Sequence, residues 1–324
     1  MRKLVLMAAT FAVAVLLSAS VTVAETTLKA VAFIPASHPV MWGSRAWADE
    51  INAALKGELK INYVGGPEII PRRDQSEAVK NGVLDMAFIV TADLQDRIPE
   101  SMALVLSRLN PTKERESGFF DYIDGLFQER MNTKLLGRVQ MSPFYLWLNK
   151  DAKNLGDLKG LKMRTSSLYD RLMRNFGMIP VSMNSPEVLT ALDRGLVDGF
   201  GWPTSGIVKK GWAKHAKYVI YLPFFEWSNV VTTMNLDKWN ALSASAQKTI
   251  NDVSVAFEPK MVTHYRAGIA KDWKELEAAG VKKIKFSDAE NKEYTDAAYN
   301  LEWAALEKKL GAATVAKLKG LTGN

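Results

Sequence analysis

Two stretches decide how this chain reads: Asp157-Leu158-Lys159-Gly160-Leu161-Lys162-Met163-Arg164, and Asn184-Ser185-Pro186-Glu187-Val188-Leu189-Thr190-Ala191-Leu192-Asp193-Arg194-Gly195-Leu196-Val197-Asp198-Gly199. Leu161 to Arg164 has the character of a short strand ending in arginine, and Val197 to Phe200 that of a second strand. Between them Ser185 is placed as an N-cap, Pro186 at the first helical position and Gly195 as the closing glycine, which predicts a short, rigid helix. Arginine carries a planar fork of five donors that can hold a carboxylate through two parallel hydrogen bonds without ever losing its charge. Two readings of Arg164 follow from this spacing: an anion-binding group set in a cleft, or a solvated strand residue held in a structural ion pair.

Outward from this unit the alternation continues in both directions. Leu28 to Ile34 reads as a strand, Trp47, Ile51, Ala54 and Leu55 recur at helical spacing, and Leu59, Ile61 and Tyr63 alternate as a second strand. A further helix leads to Gly82 and a strand from Leu84 to Val90; from residue 140 the pattern starts again with Tyr145 to Leu148 and a strand at Val181 to Met183. Two α/β lobes are the natural inference. Asn81-Gly82-Val83-Leu84-Asp85 and Arg194-Gly195-Leu196-Val197-Asp198 match in context, which marks Asp85 and Asp198 as equivalent structural positions at strand starts more than as catalysts. Ser243 to about Ala279 is one helical stretch closed by Gly280, with Pro259 expected to kink it. This length fits a brace across both lobes or a surface helix pair. Ser287 to Glu290 forms a capping box that opens a C-terminal helix.

Residues 1–24 have the form of a secretory signal: Arg2 and Lys3, an apolar run from Leu4 to Leu17, then Thr22-Val23-Ala24 as a cleavage site. The apolar run is shorter than the ~20 residues that span a bilayer, and no cysteine is present to carry a lipid. The leader contains two bases and no acid, so the remainder stays net basic, but Lys and Arg are interspersed with acids and form no clustered stripe of the kind nucleic acids require. Hydrophobic residues at 48% and charged ones at 24% are ordinary globular values. With no cysteine, an exported chain of this size is held by its core.

The search for chemistry comes out largely negative. Only three histidines occur, His38, His215 and His264, too widely spaced for a local metal site, and neither a Gly-x-Ser-x-Gly elbow nor a Walker loop is present. Gly199-Phe200-Gly201 lacks the third glycine of a dinucleotide loop, and Ser245 to Lys248 matches Ser-x-x-Lys without companion motifs. No catalytic residue, cofactor or metal is expected. Binding features are better represented, because ligands of open α/β sheets sit beyond the carboxyl ends of strands. There the loop around His38, the segment Gly65-Gly66-Pro67-Glu68, Arg164, Asn184 and Gly201-Trp202-Pro203 should emerge. His38 is a ligand donor or a turn residue before Pro39; Trp202, Phe144, Trp147 and Trp227 are ligand-facing aromatics or core.

Taken together, the stretch from Asp157 to Arg164, the run from Pro180 through Met183, Glu187, Ala191, Leu192, Gly195, Val197, Asp198 and Gly199, Asn81-Gly82 with Asp85, and Asn235 with Trp239, Leu242 and Gln247 resemble the solute-binding proteins of tripartite ATP-independent periplasmic (TRAP) transporters, the dicarboxylate-binding-protein family. The resemblance covers essentially the whole chain after the leader. It implies an α/β periplasmic-binding-protein fold of two lobes with a hinge and a long helix bracing both. The lobe limits carried from the family are 25–141 with 229–256 for the first lobe and 142–228 with 257–324 for the second. It further implies a monomeric, non-enzymatic periplasmic receptor that closes on a small organic acid and delivers it to integral-membrane TRAP permease subunits, with Arg164 on the ligand carboxylate. In sialic-acid-binding members a second arginine precedes the first and an Asn precedes the proline after Asp-Gly; Phe144 and Trp202 fall near those places here. Such replacements suit a monocarboxylate with an apolar or aromatic body packed on Trp202 and Phe144, with Glu68 accepting from a ligand hydroxyl or amine; an aliphatic keto or hydroxy acid, or a dicarboxylate held through neutral donors, stays open. An ATP-driven importer's receptor and an exported enzyme acting on small acids are the competing classes.

Overall fold

The computed structural model describes residues 25–35, 37–166, 168–227 and 230–324. The leader at 1–24 lies outside the described residues. Among the described residues, eleven strands form two sheets: β1 Thr26–Ala32, β2 Leu59–Gly65, β3 Met86–Val90, β4 Thr133–Gln140, β5 Tyr145–Leu148, β6 Lys162–Thr165, β7 Ile179–Ser182, β8 Gly199–Trp202, β9 Tyr218–Ile220, β10 Val230–Asn235 and β11 Lys282–Ile284. The first sheet has the order β2-β1-β3-β10-β4 and the second β11-β9-β5-β8-β6-β7. β1, β2 and β3 are parallel, with β10 inserted antiparallel between β3 and β4. β6, β7 and β8 are parallel, with β5 antiparallel beside β8. The chain thus leaves the first sheet after β4, returns for β10, and goes back for β11.

The first two crossing segments are tied to each other. The Phe144 N–H donates to the Phe225 carbonyl at 2.9 Å and the Phe224 N–H to the Phe144 carbonyl at 3.0 Å. Paired extended segments of this kind make a hinge, because a few backbone torsions on both strands rotate one lobe against the other.

The helix Ala244–Ala278 is continuous over 35 residues, about 50 Å at 1.5 Å per residue. Ser243 Oγ accepts from the Ala246 N–H at 3.0 Å and opens it, and Gly280 follows its end at φ +78°. Its residues Ala246, Ile250, Phe257, Met261 and Tyr265 share the core of the first sheet, and Leu276 near its end joins the core of the second. The brace reading of this helix therefore holds. Pro259 does not interrupt it; the carbonyl one turn earlier, at Val255, is on an exposed residue where water can replace the missing donor. The helix Asp288–Leu310, opened by the Ser287–Glu290 capping box, packs on both the helix Asp170–Asn175 and the turn Pro99–Met102, and the last helix, Ala312–Thr322, packs on Ala103–Leu106 and Phe119–Met131.

The matched sequence contexts are matched structures. Asp85 Oδ2 accepts from the Lys29 N–H at 2.7 Å while its own N–H donates to the Lys29 carbonyl at 3.2 Å. Asp198 does the same with Lys162, at 2.9 and 2.7 Å. Gly82 and Gly195, at φ +71° and +66°, close the preceding helices in the left-handed conformation that a side chain would strain. One expectation shifts: Asn184, not Ser185, is the cap residue, without a side-chain capping bond, and Ser185–Glu187 is a 3₁₀ turn leading into the helix Val188–Asp193. The Ser185 hydroxyl instead accepts from Lys210 Nζ at 3.0 Å, a partner far along the chain.

Candidate functional site

Strand direction decides which side chains meet. The C-terminal ends of β1, β2 and β3 carry Ile34, Glu68 and Val90 to the same cavity as Arg164 at the end of β6 and Trp202 at the end of β8. Phe144 reaches it from the hinge, just before the antiparallel β5, and Asn184 from the turn after β7. The cavity between the lobes has a volume of about 460 Å³, within the usual range for sites that enclose a small organic molecule.

Arg164 is 1% exposed. The Met183 carbonyl accepts from its Nε at 3.1 Å and its Nη2 at 3.0 Å, and the Tyr169 hydroxyl accepts from Nη1 at 3.4 Å. Tyr169, fully buried, donates its proton to the Gly201 carbonyl at 2.7 Å, which turns the oxygen lone pairs toward the guanidinium. Gly201 is required here, since a Cβ would lie 2.5 Å from the Tyr169 ring. Among the described residues no carboxylate forms an ion pair with Arg164, and three of its five N–H groups are held by neutral oxygens. One N–H on each Nη is left for a ligand, the number that an end-on carboxylate takes. Burial, then the nearby Arg72, pulls the pKa of Arg164 below its ordinary value, but an arginine starts so far above neutrality that it stays charged. A buried cation whose hydrogen-bond partners are neutral, with Glu187 acting on it only through space, is costly, and an incoming anion lowers that cost.

Trp202 lies beside it, its ring centroid 5.2 Å from Arg164 Cζ. Its backbone carbonyl accepts from Trp147 Nε1 at 2.8 Å, its own Nε1 donates to the Ser205 carbonyl at 3.3 Å, and its ring meets Trp212 edge-on at 5.2 Å. The indole is therefore a fixed wall. Phe144 packs near Tyr169 and Phe224, at 6.0 and 5.8 Å between centroids. Glu68 Oε1 accepts from the Gly66 N–H at 2.7 Å, and Asn184 Nδ2 donates to Glu187 Oε1 at 3.4 Å.

Five of the eight residues singled out from the sequence, Arg164, Trp202, Phe144, Glu68 and Asn184, thus line one cavity. The other three stand apart from its walls. Trp147 is fully buried in the core of the second lobe, and Trp227 packs against the core of the first. His38 is buried and lines an adjoining crevice with Lys209 and Lys210, a crevice that shares Ile34, Pro35, Ser185 and Pro186 with the main cavity. His38 Nδ1 accepts from the Val40 N–H at 3.1 Å. Burial, then Lys210, Arg45 and Lys209, pushes its pKa down to about 3, so the ring is neutral with its proton on Nε2.

Sequence reasoning did not find Arg72. It lines the cavity from the first lobe and is bound on both edges of a carboxylate, Nε to Asp93 Oδ2 at 2.6 Å and Nη2 to Oδ1 at 2.8 Å. The two residues lie 21 positions apart, and no local pattern links them. Glu187, Gln140 and Phe33 also line the cavity. Glu187 was visible as part of the decisive stretch, whereas Gln140 and Phe33 sit at strand ends that only the fold brings there.

A family model described as bacterial extracellular solute-binding protein, family 7, matches residues 30–309. A protein of Nostoc sp., named as a monocarboxylate 2-oxoacid-binding periplasmic protein, is 29% identical over 184 residues, which is 51% of this chain and 50% of that protein. The chain thus spans about half the length of that curated relative. Among solved structures, an extracytoplasmic solute receptor of Bordetella pertussis binding pyroglutamic acid superposes with a TM-score of 0.81 at 19% identity, covering 93% of this chain and 100% of that one. A TRAP periplasmic solute binding protein of Desulfovibrio salexigens with bound orotic acid gives 0.80 at 19% identity, covering 92% and 98%. These likenesses establish the two-lobed fold, and the family match, extending over most of the sequence, means that the chain belongs to family 7 of the bacterial extracellular solute-binding proteins.

Proposed function

We propose that this protein is the periplasmic receptor of a TRAP-type secondary transporter, that it closes on an organic acid anion, and that it delivers that anion to membrane permease subunits. The observation that carries the reading is Arg164: a buried guanidinium held in place by neutral acceptors, with one N–H on each Nη unclaimed among the described residues. The ligand carboxylate takes those two donors, and its body lies against Trp202 and Phe144. Because Arg72 is already neutralised by Asp93, Arg164 is, among the described lining residues, the arginine with no carboxylate bonded to it, which favours a monocarboxylate. Glu68, and Asn184 with Glu187, accept from a hydroxyl or N–H elsewhere on the ligand. The acids named with the similar proteins, a 2-oxoacid, pyroglutamic acid and orotic acid, are of compatible chemistry.

Closure turns about the paired segments at Phe144 and Phe225, with contacts to both lobes favouring the closed state. Sheet membership supports lobes of 25–141 with 229–256 and 142–228 with 257–324. Two amendments follow from packing: the brace stays with the first lobe as far as Tyr265, and Ala312–Thr322 sits on the first lobe's helices.

The test is a thermal-shift and calorimetric screen of the secreted form against cyclic and aromatic monocarboxylates, 2-oxoacids, hydroxy acids and dicarboxylates, repeated with Arg164→Lys. Lysine keeps the charge and loses the fork, so affinity for the best acid should fall at least about tenfold. Full affinity in that variant would reject the clamp.

A further inference from the structure

The crevice beside the main cavity has a composition of its own. Lys209 and Lys210 approach from the second lobe, His38 and Ser37 from the first, and Ser185 closes it; no acidic side chain is among the described residues that line it. Lys210 is half-buried. Its Nζ donates to Ser185 Oγ at 3.0 Å and lies 4.9 Å from the Trp212 ring centroid and 5.9 Å from that of Trp202. Each of these contacts is with a neutral group, so its charge is solvated by indole faces and one hydroxyl. His38 is 7% exposed, and among the described residues its Nε2 has no hydrogen-bond partner. Since Nδ1 is already an acceptor for Val40, Nε2 carries the proton and is an unused donor. A buried polar atom without a partner calls for an explanation, and here it belongs to a residue that lines a crevice bearing two ammonium groups.

We propose that this crevice is a second oxyanion subsite at the seam of the lobes, taking a phosphate- or carboxylate-type group on Lys210, Ser185 and His38. Such an anion touches both lobes at once. It therefore strengthens closure in the way a ligand favours whichever state it contacts more fully. The group is either a free inorganic oxyanion or the distal end of an acid whose carboxylate rests on Arg164. The latter fits the geometry, because Arg164 and Lys210 lie within 6 Å of the same Trp202 ring. The subsite supplements the carboxylate-receptor reading and is testable apart from it.

The first experiment follows the His38 ring signals by NMR in the full secreted protein as inorganic phosphate is added at constant ionic strength, with chloride as control. A saturable shift of His38 with phosphate and none with chloride is expected. In Lys210→Met the apparent affinity should fall about tenfold, the loss of one charge-assisted contact. Lys209→Met, with its exposed side chain, serves as the second variant if the first is poorly folded, and a smaller loss is expected there. In Arg164→Met the phosphate response should persist; its disappearance would mean that phosphate binds at the main clamp, and would overturn the subsite while leaving the receptor reading intact. An equal response to chloride, an adventitious ion only, would also overturn it. A dicarboxylate that loses affinity in Lys210→Met while its monocarboxylate analogue does not would identify the distal end of the ligand as the natural occupant.

Discussion

Arg72 and Arg164 face one cavity from opposite lobes, and their charges are met in different ways. Arg72 grips both oxygens of Asp93, at 2.6 and 2.8 Å, and is an ion pair complete in itself. Arg164 is more deeply buried, 1% exposed, yet has only the Met183 carbonyl and the Tyr169 hydroxyl as described hydrogen-bond partners. A protein selected for stability alone would do the reverse, because the deeper charge is the one that most needs an anion. The difference teaches that proximity to a cavity does not make an arginine a receptor for anions; on the proposed reading, a buried arginine with no carboxylate bonded to it and donors to spare does.

The sharpest break in this comparison is Arg164→Met against Arg72→Met. The first should reduce affinity for the preferred acid about a hundredfold or more, the loss of two charge-assisted hydrogen bonds, and the second by no more than about tenfold. Calorimetric titration of both variants decides it, and a larger loss at Arg72 would invert the assignment. Next in size, Asp93→Asn leaves Arg72 without its counter-charge. The ratio of affinities for a dicarboxylate over its monocarboxylate analogue should then rise about tenfold; an unchanged ratio would place Arg72 away from the ligand's distal end. Smaller still, Tyr169→Phe removes one support of Arg164 and should weaken binding by about threefold to tenfold, near 1 kcal/mol. In an Arg164→Met background the same change should cost little further, because the two side chains act as a unit. The smallest effect expected is that of pH. Burial lowers the pKa of Arg164, but an arginine begins far above neutrality, so it remains protonated, and affinity for a simple carboxylate should be flat from about pH 6 to 9. Affinity should fall only as acid protonates the ligand carboxyl. A midpoint inside that window would point to a titrating group such as Lys210, whose pKa is pulled down by burial and by Arg164.

The scaffold under both arginines was readable from local patterns. The repeated Gly-x-x-Asp contexts announced the matched turns at Gly82 and Gly195, and each aspartate does accept the backbone N–H of the neighbouring strand. The brace was readable because a helix that long buries residues at a regular spacing, from Ala246 to Tyr265. The cap before Val188 was misplaced by one residue because Ser185 has a better partner in Lys210, 25 positions away. His38 was grouped with the cavity because loops after strands tend to converge, and Trp147 and Trp227 as aromatics able to line it, but His38 turned into the adjoining crevice and the two tryptophans into the cores.

By itself the sequence determined the strand–helix alternation, the two α/β lobes and the position of Arg164 at a strand end. Periodicity, caps and turn glycines act over a few residues and need no distant partner to be read. Only the tertiary structure decided that Arg72 is cancelled by Asp93, that Tyr169 and Met183 hold Arg164, and that Lys210 and His38 share a crevice. Whether a charge is compensated depends on which groups the fold brings within a hydrogen bond of it, and those groups come from separate stretches of the chain.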